Sequence, residues 1–182
     1  MSRRAAFIYH DVLSRHVLRE DHVMVPTRLR YTYELLESYG AFNLPRSVLV
    51  EPRQATEEEL MTFHTRDYVN AVQRLSSGDG NYNPAAYNFS DHGDNPVFSG
   101  MYEASSWSTG ASLTAAEMVS SGQVDVAFNC SGGLHHAMPS QASGFCIFND
   151  PVIAIHSLLS QGLRVAYVDI DAHHGDGVQH AF

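Results

Sequence analysis

The stretch that decides the fold lies near the end of the sequence and reads Tyr167-Val168-Asp169-Ile170-Asp171-Ala172-His173-His174-Gly175-Asp176-Gly177. The apolar residues that lead into it, within 165–170, predict a buried strand. Because side chains alternate between the two faces of a strand, Asp169, Asp171 and His173 are expected to project to the same side. Charged groups at the end of a buried strand are unfavourable unless they are paired or bind a metal. The pattern therefore predicts a divalent-metal site, and the alternative is a strand end capped by ordinary ion pairs.

Three neighbouring residues have expected structural roles. Gly175 and Gly177 are expected to let the chain turn sharply beside the metal site, because glycine adopts conformations that other residues avoid. His174 alternates away from His173 along the strand, so we interpret it as structural and not as a ligand.

A second polar stretch lies upstream. It reads Asn129-Cys130-Ser131-Gly132-Gly133-Leu134-His135-His136-Ala137, followed by Ala142-Ser143-Gly144-Phe145-Cys146. Adjacent histidines on a glycine-rich loop after a strand indicate acid–base chemistry, because open parallel sheets place their sites at the carboxyl ends of strands. Taken alone, the pair could also be two loop histidines that face solvent.

Strand-like and helical segments alternate along the sequence. The predicted strands cover residues 5–9, 47–50, 124–129 and 165–171. Two predicted helices cover residues 26–39 and 99–121. Two more begin after a capping box at Thr56 and after a cap at Thr65. A last one runs from Asp150-Pro151 to Leu159, with Asp150 as its N-cap. Residues 76–94 lack any period and are expected to form a functional loop. This alternation predicts an α/β fold, a parallel sheet with helices on both faces.

Composition narrows the class of protein. The 182 residues suffice for one domain with a sizeable core, and 44% hydrophobic with 17% charged residues is typical of a globular protein. The net charge is −9, and all eleven basic residues are arginines, which argues against a nucleic-acid partner. Because the sequence contains no lysine, a Schiff-base mechanism is excluded.

Cysteine usage and hydropathy suggest a location. Cys130 and Cys146 are the only cysteines and both lie in the motif stretches, which argues against a disulfide scaffold and for a reducing compartment. The apolar run near the N-terminus is too short for a signal peptide, and no stretch is long enough to span a bilayer. We therefore expect a cytoplasmic protein without membrane contact.

Together the motifs resemble the zinc-dependent histone deacetylase family, and within it the bacterial acetoin-utilisation and acetylpolyamine amidohydrolase members. The resemblance rests on Gly132-Gly133-Leu134-His135-His136, on Ser143-Gly144-Phe145 and on the stretch from Asp169 to Gly177. It implies an arginase/deacetylase-like fold and hydrolysis of the amide of N-acetylated lysine or of a linear acetylated amine, with release of acetate. It also implies that residues 1–182 are the N-terminal portion of a single domain, incomplete at the C-terminus, because the family's third metal ligand (an Asp) and its transition-state Tyr lie beyond Phe182.

The candidate metal ligands are Asp171 and His173. One oxygen and one nitrogen ligand without thiolate suit Zn²⁺, and Fe²⁺, Co²⁺ or Mn²⁺ are also compatible. A catalytic zinc site has three protein ligands and a water, of which this sequence supplies two ligands. The resemblance further implies a monovalent cation, commonly K⁺, held by Asp169 and by the backbone carbonyls of Asp171 and His173.

The resemblance also assigns acid–base roles. His136 is expected to act as general base and then as general acid, and His135 to orient the water and support it electrostatically. Each imidazole needs a carboxylate on its far nitrogen to fix the tautomer and raise basicity. The expected pairs are His135–Asp169 and His136–Asp176.

Three further residues match substrate-contacting positions of the family. Gly144 resembles the glycine whose carbonyl contacts the substrate amide, and Phe145 resembles the aromatic wall of the acyl-lysine tunnel. Asp94 falls where the family has a rim aspartate that grips the substrate backbone. The alternatives are a plain core phenylalanine and a turn aspartate before Asn95-Pro96.

Two other functions stay open. Arginase-like ureohydrolases share the fold and carry an Asp-x-His-x-Asp strand end for two manganese ions; Asp171-Ala172-His173 fits its start, but Gly175 stands where the second carboxylate should be. A truncated, non-catalytic member that only binds a partner is the third reading. Acetylated protein and small acetylated amines are both compatible substrates, and a homo-oligomer is compatible with the sequence.

Overall fold

A three-stranded parallel sheet forms the centre of the computed structural model, which describes residues 3–182. The strands are β1 (Ala5–Ile8), β2 (Ser47–Val50) and β3 (Val126–Asn129), in the order β2-β1-β3. Ala5 pairs with Ser47 on one side and with Val126 on the other. Parallel neighbours need long crossover connections, which explains why helices separate the strands in sequence.

Six α-helices surround or follow this sheet within residues 3–182. They are α1 (Thr27–Ser38), α2 (Glu57–Leu60), α3 (Arg66–Ser76), α4 (Met101–Ser120), α5 (Asp150–Ser160) and α6 (Asp176–Ala181), with 3₁₀ turns at Asp11–Ser14, Ala41–Asn43 and Pro84–Tyr87. The predicted capping box is confirmed, since the Thr56 hydroxyl accepts from the Glu59 amide and the Glu59 carboxylate accepts from the Thr56 amide. Thr65 caps α3 as predicted. Within residues 3–182, none of the helices combines the length and apolar character needed to cross a bilayer.

The two faces of the sheet meet different helices. On one face Tyr9 stacks on Tyr33 of α1, with ring centroids 4.5 Å apart. On the other, the Asn129 amide donates to the Ser108 carbonyl (3.2 Å) and to the Ser112 hydroxyl (2.9 Å) of α4. The predicted fold class, a parallel sheet with helices on both faces, is therefore confirmed.

The predicted N-cap of α5 is wrong by one residue. Asn149, and not Asp150, caps this helix, because its side-chain oxygen accepts from the Val152 amide. Asp150 is the first helical residue and is fully buried beneath the preceding loop.

The predicted strand over residues 165–171 is also wrong for the described residues. This segment is not a strand, and Val168 and Ile170 are 79% and 94% exposed. A strand needs a neighbour that pairs its backbone groups. Among residues 3–182, no strand pairs with this segment, and the amides of Asp171 and His173 donate to side chains instead.

Gly110 allows α4 to lie directly on the chain that enters α2. A Cβ atom at this position would stand 1.9 Å from the Arg53 carbonyl oxygen and 2.7 Å from the Ala55 nitrogen. Both are backbone atoms, so neither can rotate away.

We expect Gly110→Ala to lower the free energy of unfolding by about 3 kcal/mol, as overpacking does. Helix propensity alone predicts the opposite, a gain of about 1 kcal/mol. Urea denaturation measures the difference. Gly80→Ala is the matched control, because nothing lies within 4 Å of a Cβ there. A stabilised Gly110→Ala variant would contradict the packing described.

Candidate active site

The histidine loop after β3 is anchored by a buried carboxylate. Asp150 accepts hydrogen bonds from the amides of Gly133 (3.1 Å) and Leu134 (2.8 Å) and from the Ser112 hydroxyl. Burial raises the pKa of the Asp150 carboxyl above its ordinary value, although these hydrogen bonds oppose the shift. The bonds hold the loop in place directly before its two histidines.

Both predicted imidazole–carboxylate pairs are present. The Nδ1 atom of His135 lies 2.7 Å from Oδ2 of Asp169, and Nδ1 of His136 lies 2.7 Å from Oδ1 of Asp176. An ionised carboxylate only accepts, so each Nδ1 carries the proton and donates it. The tautomer thereby leaves each Nε2 as the atom that exchanges protons.

The two Nε2 atoms face each other at 3.2 Å. With both Nδ1 atoms protonated, a hydrogen bond between the two Nε2 atoms forms only when one ring carries a second proton and is an imidazolium. The His135 side chain is 7% exposed and that of His136 is 19% exposed. His136 is therefore the more accessible of the two.

Sequence reasoning did not single out Tyr167, which supports the first pair. Its hydroxyl donates to Oδ2 of Asp169 at 2.7 Å. The hydrogen bonds from Tyr167 and then from His135 hold the pKa of the Asp169 carboxyl well below its usual range. For Asp176, burial opposes the shift, but the hydrogen bond with His136 still leaves the pKa lowered. Both carboxylates are thus ionised at neutral pH.

Gly175 makes the predicted sharp turn: the Asp176 amide donates to the His174 carbonyl at 2.9 Å across it, and its φ of −74° and ψ of 66° are those of an inverse γ-turn. These dihedrals are open to any residue, so the turn alone does not require glycine. A Cβ there would lie 2.6 Å from Oδ2 of Asp169 and 3.2 Å from Nδ1 of His135. Likewise, no positive φ is found at Gly177. Both glycines are explained by close approach to the site.

Asp171 and His173 come together at the mouth of the site. Oδ1 of Asp171 lies 2.9 Å from Nδ1 of His173, and the side chains are 54% and 80% exposed. At this distance the His173 Nδ1–H donates to the Asp171 carboxylate, so the two side chains are paired with each other and lie close enough to bind one ion together. No group of three or more His, Cys, Asp or Glu side chains that could hold a metal occurs within residues 3–182. A carboxylate oxygen and an imidazole nitrogen are donor types that zinc binds, and the metal site stays a prediction.

The remaining predicted residues, Asp94, Gly144 and Phe145, line a cleft of about 790 Å³ together with His135, His136, Asp169, Asp171 and His173. Phe145 adopts φ 71°, which is rare for an aromatic residue and is typical of functional sites. Its amide donates to Oδ1 of Asn95 at 3.0 Å, so the Asp94–Asn95 turn holds it in this conformation. Gly144 lies so close to the His136 ring that a Cβ would be 2.4 Å from Cδ2. The Asp94 side chain is exposed at the cleft edge.

A second buried histidine lies behind the loop and was also not singled out from the sequence. His64 is 2% exposed, and its Nε2 accepts from the Asn149 amide at 3.0 Å. Its Nδ1–H donates to the Met138 carbonyl at 3.1 Å. Burial lowers the pKa of His64 to about 4, so the neutral ring is the stable form. Its position before a helix-capping threonine offers no local signal of this role.

Comparison with known proteins relates the chain to deacetylases. A sequence profile of the histone deacetylase domain matches residues 22–182. Type-1 histone deacetylase 1 of Dictyostelium discoideum is 41% identical over 182 residues, which is 100% of this chain and 36% of that protein. The acetoin utilization protein AcuC of Bacillus subtilis is 43% identical over 185 residues, covering 99% of this chain and 46% of that protein.

Solved structures show the same architecture. A histone deacetylase homologue from Aquifex aeolicus superposes with a TM-score of 0.82 at 33% identity, covering 99% of this chain and 48% of that one. A deacetylase homologue complexed with SAHA gives a TM-score of 0.81 at 33% identity and 48% coverage. The chain thus spans less than half the length of the relatives named here.

The buried His64 makes stability depend on pH in a predictable direction. Its pKa falls from 6.5 to about 4 on folding. Between these values the unfolded chain binds a proton that the folded chain does not, so stability decreases as pH falls from 6.5 to 4. The residue should contribute roughly 3 kcal/mol to this decrease.

Urea denaturation across this pH range tests the assignment. His64→Gln should give a visibly flatter profile than the parent chain, because the carboxylates titrate in both. His92→Gln, at an exposed loop position, should leave the slope unchanged. Parallel profiles for the parent and His64→Gln would show that His64 is not held neutral.

Proposed function

The chain belongs to the histone deacetylase family, and on that premise we propose that residues 1–182 form the N-terminal portion of a single deacetylase domain. The domain hydrolyses the amide of N-acetylated lysine or of a linear acetylated amine and releases acetate. The observation that carries the proposal is the convergence of two imidazole–carboxylate pairs at 2.7 Å beside Asp171 and His173.

The histidines divide the acid–base work by their exposure. His136, the more accessible ring, takes a proton from the attacking water through Nε2 and later returns it to the leaving amine. The Asp176 carboxylate stabilises the imidazolium that forms. His135, nearly buried and paired with Asp169, orients the water and stabilises the developing charge.

Asp171 and His173 supply two ligands for a divalent metal, Zn²⁺ by the chemistry of the donor set, with Fe²⁺, Co²⁺ or Mn²⁺ as substitutes. When bound, the ion supplies a Lewis acid that polarises the acetyl carbonyl. The third ligand, an Asp, comes from sequence that follows Phe182. Asp169 and the carbonyls of Asp171 and His173 would hold a K⁺ ion.

Substrate contacts come from the cleft walls. Phe145 packs along the methylene chain of the acyl amine, the Gly144 carbonyl accepts from the substrate amide, and Asp94 binds the substrate backbone at the rim. Acetylated protein and small acetylated amines both suit such a cleft, whereas the net charge of −9 disfavours nucleic acid. A cytoplasmic location and a homo-oligomeric state stay predictions.

The ureohydrolase alternative needs a carboxylate at position 175, where this chain has glycine. A side chain there would displace the Asp169 carboxylate from its hydrogen bond with His135, because its Cβ would lie 2.6 Å from Oδ2 of Asp169. This observation favours one catalytic metal ion over two.

The test compares this chain with a longer protein that carries it, each supplied with zinc, for acetate release from an acetyl-lysine peptide. We expect the longer protein to bind one catalytic zinc per domain and to lose activity on chelation. In that protein, His136→Ala should lower kcat about 10²-fold or more, as loss of a general base does.

His180→Ala is the matched control, because this histidine is exposed at the end of α6. It should leave kcat unchanged. A longer protein that binds no metal and releases no acetate would contradict the deacetylase assignment, and two metals per domain with urea as product would support the ureohydrolase.

A further inference from the structure

One buried side-chain amide clamps the histidine loop from beneath. Asn149 is 0% exposed, and its Nδ2 donates to the carbonyl oxygens of His135 (3.1 Å) and Ala137 (3.0 Å). These carbonyls belong to the residues on either side of His136. A single planar group therefore fixes the backbone of His136 from both directions.

Capping α5 does not by itself require an asparagine at position 149. An N-cap needs only a side-chain acceptor, and Ser, Thr or Asp provides one as well as Asn does. Asn149 caps α5 with its Oδ1, which accepts from the Val152 amide at 3.2 Å. The two N–H donors of the amide serve only the loop, and only Asn supplies an acceptor and two donors at this length.

The start of α6, which carries Asp176, packs directly against the same side-chain amide. A Cβ at Gly177 would lie 2.6 Å from Nδ2 of Asn149 and 2.5 Å from the Ala137 carbonyl oxygen. The start of α6 therefore rests directly on this cluster. Asp176, the preceding residue, bonds His136 at 2.7 Å. Both partners of that hydrogen bond are thus located by one group.

His64 fixes the backbone of Asn149 by a hydrogen bond. Its Nε2 accepts from the Asn149 amide at 3.0 Å, and its Nδ1–H donates to the Met138 carbonyl at 3.1 Å. Its ring lies 5.2 Å from that of Phe148. Asn149 is therefore held at its own backbone while it holds the loop with its side chain.

We propose that Asn149 is a positioning residue that keeps His136 and Asp176 in register for proton transfer, an inference that rests on the proposed function. Misplacement of a reacting group by about 1 Å can reduce a rate about 10²-fold. Without the amide, the carbonyls of His135 and Ala137 lose their donors, and the His136 ring loses its fixed relation to Asp176.

The test uses substitutions that keep the helix cap. Asn149→Ser retains a cap acceptor and removes both loop donors without adding charge. Asn149→Asp retains the shape and the cap but presents oxygen to the two carbonyls. The matched control is Asn83→Ser, at an exposed asparagine that accepts from the Ala85 amide and caps the 3₁₀ turn Pro84–Tyr87.

The readout is the ¹⁵N NMR spectrum of the imidazole rings in the 182-residue chain at alkaline pH. In the parent, His135 and His136 should each show a single Nδ1–H tautomer. In Asn149→Ser and Asn149→Asp, the His136 signals should move toward a mixture of tautomers, while His64 keeps its Nδ1–H form as an internal marker of folding. An unchanged His136 pattern in folded variants would overturn the proposal.

A measurement on the parent chain covers variants that fail to fold. Couplings across hydrogen bonds should connect Nδ2 of the Asn149 side chain with the carbonyl carbons of His135 and Ala137. Their absence would overturn the proposal. None of these readouts needs activity. If the chain shows the expected tautomers but the longer protein is inert, only the proposed function is contradicted. If the longer protein is active but the His136 signals are unaltered in both variants, only the role of Asn149 is contradicted.

Discussion

Two imidazole–carboxylate hydrogen bonds join parts of the chain that no strand pairing connects among residues 3–182. One links His135 to Asp169 and the other links His136 to Asp176, each at 2.7 Å. The loop after β3 meets residues 169–177, which include the start of α6, through these bonds and through the close approach of Gly175 and Gly177. The site therefore depends on polar contacts whose alignment sets both the tautomer and the direction of each ring.

Such contacts stabilise the fold only if no polar group is left without a partner. Within residues 3–182, every buried side-chain nitrogen or oxygen has a hydrogen-bond partner. Asp150, Asn149 and His64 account for the most deeply buried of these bonds around the loop. Removing one of these partners would leave a buried polar group without a hydrogen bond, which lowers the stability of the fold.

Local signals predicted most of the fold. The strand at 47–50 and the caps at Thr56 and Thr65 follow from short-range patterns and are confirmed. The error at 165–171 has a different cause, because a strand exists only when a neighbour distant in sequence pairs with it. The motifs also indicated the two His–Asp pairs. Asn149 and His64 act on backbone atoms that their own sequence surroundings do not reveal, so only the structure identifies them.

The proposed chemistry requires that Asp171 and His173 hold a Lewis-acidic ion beside the paired histidines. X-ray diffraction at the zinc absorption edge, from crystals of a longer protein grown with zinc, tests it most directly. We expect an anomalous peak about 2.0–2.2 Å from a carboxylate oxygen of Asp171 and from a ring nitrogen of His173. Nδ1 of His135 and Nδ1 of His136 should still bond their carboxylates. An empty position there, or imidazoles turned away from Asp169 and Asp176, would contradict it.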